Sequence, residues 1–158
     1  MTDSISKIES VIYALKQVGF TYASKTDIGW FKLYGHLLHS TTDACACEIE
    51  LDPNFIELPK IRLLEIPAKL PSVVPHLGND GHLCYIAKGS VVLDIFDPAG
   101  QTLACIKRAE EVLEQILKGN MIQDLEEEFY AYWGGEELCL VDMQEQNLGK
   151  QKTLVVKT

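Results

Sequence analysis

Basic residues are scarce in this chain of 158 residues: 14 Lys and Arg stand against 23 Asp and Glu, for a formal charge of −9 with the four histidines neutral. That balance repels phosphate backbones and anionic lipid headgroups, and no local basic patch offsets it, so nucleic acid is not an expected partner. An acidic surface suits docking to basic patches of other proteins, and it equally serves solubility. No uninterrupted apolar stretch is long enough to cross a bilayer, and the N-terminus shows no basic start followed by an apolar run. No membrane partner is expected, and the chain reads as cytoplasmic. The five cysteines are an odd number at spacings that suggest no disulfide framework, which fits a reducing compartment where one thiol is available for chemistry. Internal repeats and low-complexity segments are also missing. Apolar residues make up 47% and charged residues 23%, ordinary for a globular domain. A chain of this length buries about 70% of its unfolded surface on folding. One domain over residues 1–158 is expected, with 142–158 a tail or the start of a linker.

Ile5, Ile8, Ile12, Leu15 and Val18 recur at helical spacing behind Asp3 and Ser4, which suit capping, and Gly19 marks the end of this first helix. Residues 30–39 read as a strand, 40–43 as a turn, and 45–51 as the second strand of a hairpin. In that second strand Cys45, Cys47, Ile49 and Leu51 alternate with Ala46, Glu48 and Glu50, which sends both thiols to the apolar face. The one-residue gap between Cys45 and Cys47 is also too short for the usual zinc-ligand spacing, so no metal is expected there. His36 and His39 fall on opposite faces of their strand and read as core or edge residues. Residues 61–66, fenced by Pro59 and Pro67, form the next strand, and consecutive antiparallel strands make an α+β sheet.

After the central loop, residues 85–87 and 91–96 read as extended structure around a turn at 88–89. Asp97-Pro98 suits an N-cap and first helical residue, followed by a helical stripe of Leu103, Ile106, Leu113, Ile116 and Leu117 that ends near Gly119. Asn120 suits the cap of a third helix with Met121, Leu125, Phe129 and Tyr132 on its apolar face. Residues 138–141 and 153–156 read as further short strands or an ordered part of a tail. Gly134-Gly135 is internal, so it is not an exposed diglycine tail.

The chemistry-bearing stretch is 74–85, Val-Pro-His-Leu-Gly-Asn-Asp-Gly-His-Leu-Cys-Tyr. Gly78, Asn79, Asp80 and Gly81 tolerate tight or left-handed backbone, which lets the loop fold back and bring His76 towards Cys84. A thiol attacking an acyl group needs its thiolate form, favoured by nearby imidazoles, and a donor for the developing oxyanion. Cys84 as nucleophile with His76 as donor meets those needs. The same residues also read as a buried apolar cysteine beside turn-capping histidines.

The stretch resembles the active-site flap of ubiquitin-conjugating enzymes: His-Pro-Asn, a short variable turn, then Gly-x-Ile/Leu-Cys. Gly81-His82-Leu83-Cys84 matches the second part, Pro75 falls on the proline, His76 on the asparagine, and Val74 replaces the histidine. Pro59-Lys60-Ile61-Arg62 is similar to the lead into the family's third strand. With its downstream helix, the flap most resembles bacterial ubiquitin-conjugating-like (E2-like) proteins of CBASS antiphage operons. The resemblance covers most of residues 1–133.

It implies an antiparallel meander sheet with an N-terminal helix and C-terminal helices packed on it, and Cys84 as the carrier of a thioester without any cofactor. The acyl group would be the C-terminus of a ubiquitin-like modifier or of a cGAS-like nucleotidyltransferase. An E1-like activating enzyme or domain would load it, met through the face of Lys7, Lys16 and Gln17, and a target lysine would receive it. His76 takes the place of the family's oxyanion or loop-supporting asparagine. A carboxylate near the thioester can orient the attacking amine, but Asp97 is better read as a cap and Asp80 as a turn residue, and Asp94 is not assigned. Two other readings remain: a binding module that keeps the fold without catalysis, and a hydrolase built on Cys84 and His76.

Overall fold

The computed structural model describes residues 2–38, 44–70, 74–86 and 93–121, with side chains from Lys7 onward. His39, the turns expected at 40–43 and 88–89, the helix expected beyond Asn120, Gly134-Gly135 and the strands expected at 138–141 and 153–156 lie outside these residues. The order is α1 (Thr2–Gln17), β1 (Thr21–Lys25), β2 (Phe31–Leu38), β3 (Ala44–Leu51), β4 (Lys60–Leu63) and α2 (Pro98–Lys118). All three strand pairings are antiparallel, in the order β1-β2-β3-β4, so the sheet is a meander within an α+β architecture.

One core joins the inner face of the sheet to both helices. Leu33 and Leu37 of β2, Ile49 of β3 and Ile61 of β4 are all fully buried, with Val11 and Leu15 of α1 and Leu113 of α2. α2 touches both β2 and α1, and α1 touches β1. Gly35 explains how α1 closes on the sheet: a Cβ there would overlap the ring of Phe20, which is buried directly after α1. The smallest residue in β2 thus makes room for the largest fully buried side chain.

Several sequence expectations are corrected. Asp3 and Ser4 do not precede α1 but lie in its first turn, because the helix starts at Thr2. Val11 takes the buried position, while Val18 is exposed past the helix end, where the chain turns back through Gly19. β1 was not expected, since Thr21–Lys25 is exposed at every position and carries no apolar alternation; pairing with β2 makes it a strand. The strand expected over 61–66 ends at Leu63, because the chain bends at Leu64 after its N–H reaches the Ala46 carbonyl at 2.9 Å.

The extended segment expected to end at Phe96 is a turn over its described part. The Asp94 carboxylate accepts the N–H of Phe96 at 2.9 Å and of Asp97 at 3.3 Å, which folds the backbone over. Lys7 of α1 donates to the Ile95 carbonyl at 3.2 Å and ties this turn to the first helix. α2 begins as expected: Asp97 accepts the Gly100 N–H at 2.9 Å and Pro98 is the first helical residue. A cap of this kind contributes about 0.5–2 kcal/mol.

Candidate functional site

The stretch 74–85 is a closed flap laid along the free edge of β4. The Leu63 N–H donates to the Gly81 carbonyl and the Leu83 N–H to the Ile61 carbonyl, both at 2.9 Å, so 81–83 extends the sheet by a short antiparallel segment. Gly81 is what permits this approach. Its φ is +85°, and a Cβ would run into the Leu63 carbonyl oxygen. The flap then closes on itself: Gly78 N–H donates to the His82 carbonyl at 2.9 Å, and Cys84 N–H to the His76 carbonyl at 2.8 Å. Asp80 caps the tip by accepting the His82 N–H at 3.0 Å, the turn role expected for it.

Cys84 and His76 are therefore brought together, as backbone partners across the flap. His76 has φ +61°, a left-handed conformation that Asn and His tolerate better than most side chains. Its Nδ1 is buried, while the residue as a whole is half-buried. Cys84 is exposed, against the alternative of a buried apolar cysteine. The other described cysteines have different surroundings: Cys47 and Cys105 are buried and Cys45 is half-buried. Burial pushes the Cys47 thiol up to about 12, and burial likewise raises Cys105, so neither is suited to forming a thiolate near neutral pH.

Tyr85 anchors the far side of the cysteine. Its hydroxyl donates to the Pro59 carbonyl at 2.6 Å, and its buried phenol also contacts the Cys105 thiol of α2. Burial raises the Tyr85 phenol well above its ordinary range, so it stays a neutral donor. On the approach side, Leu77 and Leu83 are buried in the core. The exposed thiol thus sits between two buried anchors. Val74 and Pro75, at the start of the flap, line a groove of about 230 Å³ with Leu70, Ile116, Leu117 and Met121.

The outer face of the sheet next to the flap carries a row that sequence reasoning missed. Tyr34, Glu48 and Arg62 are register partners across β2, β3 and β4, and Arg62 is in turn bridged to His82 of the flap. Glu48 is only 5% exposed although it lies on the outer face. Arg62 covers it with Nε at 2.8 Å and Nη2 at 2.6 Å, and Lys32 with Nζ at 3.3 Å. The hydrogen bond to Glu48 raises Arg62, and the bond to Glu50, then Glu48, raises Lys32, so both cations stay charged.

The remaining candidates do not converge on Cys84. His36 is exposed on the outer face of β2, not in the core. Lys16 and Gln17 are exposed near the end of α1, and Lys7 is tied to Ile95. Asp94 and Asp97 are engaged in the turn and the cap. Among the described residues no group of His, Cys, Asp and Glu could hold a metal ion, and no helix is long and apolar enough to cross a membrane.

Residues 30–143 match the family described as prokaryotic E2 family B. An ATP-dependent ubiquitin transferase-like protein Cap2 of Pseudomonas aeruginosa (strain BWHPSA011 / Pa011) is 57% identical over 153 residues, 96% of this chain and 28% of that protein. A protein of the same name from Escherichia coli (strain TW11681) is 31% identical over 113 residues, 68% of this chain and 19% of its own length. The chain therefore spans less than a third of these curated relatives. No solved structure matches.

Proposed function

This chain belongs to the prokaryotic E2 family B, and from that premise we propose that it carries the C-terminus of another protein as a thioester on Cys84 and passes it to an amine. The observation that carries this reading is the exposed thiol of Cys84 on a flap pinned to β4, with His76 facing it across a 2.8 Å backbone bond. The described sheet and helices would then be the core of a ubiquitin-conjugating-like fold, with residues 1–158 as one domain.

In the loading step the Cys84 thiolate attacks the acyl carbon of a thioester on an E1-like activating enzyme or domain. A tetrahedral oxyanion forms and collapses, expelling the activating enzyme's thiolate. In the discharge step a lysine amine attacks the Cys84 thioester, loses a proton, and releases the Cys84 thiolate as the amide forms. His76 serves as donor to the oxyanion and its backbone carbonyl keeps the flap shut. The exposure of the thiol suits a protein-sized acyl donor. The relatives' description as ATP-dependent, and the small share of their length matched here, support an activating portion on the rest of a longer protein. We assign the acyl donor as the C-terminus of a cGAS-like nucleotidyltransferase, with a ubiquitin-like modifier as the other candidate, in cytoplasmic antiphage defence of the CBASS type.

The test incubates the full-length protein with ATP, an E1-like activating portion and a cGAS-like nucleotidyltransferase as acyl donor. A reducible adduct on Cys84 is expected, replaced by a reduction-resistant oxyester in Cys84→Ser. No adduct with these partners present refutes the thioester reading. Full activity of Cys84→Ala in cells would instead establish a binding module.

A further inference from the structure

We propose that Arg62, held by Glu48, is a positioning residue for Cys84: it clamps the flap to the sheet. The inference rests on the thioester reading for its functional meaning, but its structural content stands without it. Arg62 lies where β3, β4 and the flap meet on the outer face. Its backbone is bridged to His82, two residues before the cysteine. Its neighbours in β4, Ile61 and Leu63, make the two backbone bonds that hold Gly81 and Leu83. Its aliphatic stem lies over Gly81, with Cγ 3.5 Å from where a Cβ on that residue would stand.

The guanidinium points the other way, over the nearly buried Glu48, which it meets through both Nε and Nη2. A fork seated on a buried carboxylate has little rotamer freedom left. The stem above Gly81 is thus fixed by a charge on the neighbouring strand, and Asp80 at the flap tip adds attraction to the same guanidinium. Besides its buried Leu77, Leu83 and Tyr85 side chains, the flap is attached to β4 by two backbone bonds, and a segment with so few sheet bonds opens below the global unfolding free energy. Fixing Arg62 lowers the population of open forms in which 81–83 leaves β4 and Cys84 loses its fixed place beside the sheet. Lys32 provides the control, since it meets the same carboxylate at 3.3 Å from the opposite side and is register-paired with Glu50, not with the flap.

Native-state hydrogen exchange in the full-length protein reads the clamp directly. In Arg62→Gln the amides of Leu63 and Leu83, which bridge β4 and the flap, should exchange about tenfold faster, whereas in Lys32→Met they should keep their native rates. Because Arg62→Gln leaves Glu48 without its main partner, the double variant Glu48→Gln with Arg62→Gln, which buries no unmatched charge, should fold and show the same faster exchange confined to the flap and its β4 partner. Native exchange at Leu63 and Leu83 in the double variant overturns the proposal. Equal acceleration in Lys32→Met overturns it too, because the pair would then support general stability only. In the discharge reaction, Arg62→Gln should slow transfer to an amine several-fold while Lys32→Met does not. Absence of any Cys84 adduct in the native protein refutes the thioester reading and leaves the exchange result standing.

Discussion

Gly81→Ala concentrates the stability of the flap in a single methyl group. Residue 81 sits at φ +85°, where an L side chain costs about 1–2 kcal/mol. The new Cβ must also displace the Leu63 carbonyl, a backbone atom in β4 that cannot rotate away, and overpacking of that kind costs about 1–3 kcal/mol. The cheapest relief is to detach 81–83 from β4, which sacrifices the Leu63 to Gly81 and Leu83 to Ile61 bonds and draws the buried Leu83 side chain away from the core edge. A penalty of at least about 2 kcal/mol multiplies the open population by about 30. The expected result is exchange of the Leu63 and Leu83 amides at least about 30-fold faster, with the amides of α2 unchanged. Native protection at both positions would refute the placement of the flap on β4, since no close-packed arrangement could absorb the methyl group there.

Among the described cysteines, thiol labelling of the native protein should modify Cys84 first, and Cys47 and Cys105 only on unfolding; mapping the fast label to either buried cysteine would contradict their burial. His76→Asn should keep the left-handed turn with little loss, while His76→Ala should destabilise the flap by about 1–2 kcal/mol and slow acyl transfer about 100- to 1,000-fold if the imidazole meets the oxyanion. Charging and discharging at native rates in His76→Ala would remove it from the mechanism. Cys47 has its folded pKa raised from 9.0 to about 12, so the unfolded chain releases this proton first as pH rises. The stability it contributes is complete below about pH 9 and declines by up to about 1.4 kcal/mol per pH unit between 9 and 12. Alkaline denaturation followed by circular dichroism should show that decline shrink in Cys47→Ala; an unchanged slope contradicts the assignment.

The sequence and the structure agree where local rules decide. Asp97-Pro98 and the apolar stripe from Ile106 to Ile116 specify α2, because capping and helical periodicity act within a few residues. Alternation in 45–51 assigns the faces of β3 for the same reason. β1 escaped notice because every residue of Thr21–Lys25 is exposed, and its strand character comes from pairing with β2 alone.

At the site, the residue types in 74–85, together with the resemblance of Gly81 to Cys84 to a known flap, nominated the cysteine and the histidine as candidates. Which of the described thiols is accessible was a question for packing: Cys47 and Cys105 sink into the core between sheet and α2, while Leu83 and Tyr85 are buried on either side of Cys84 and leave it outside. Glu48 illustrates the same division. Its alternation placed it on the solvent face, and only the register of three strands, bringing Lys32 and Arg62 over it, made it a buried carboxylate beside the flap. Periodicity is a property of neighbours along the chain, whereas burial of a charge depends on which distant strands lie alongside, and that is set by the fold as a whole.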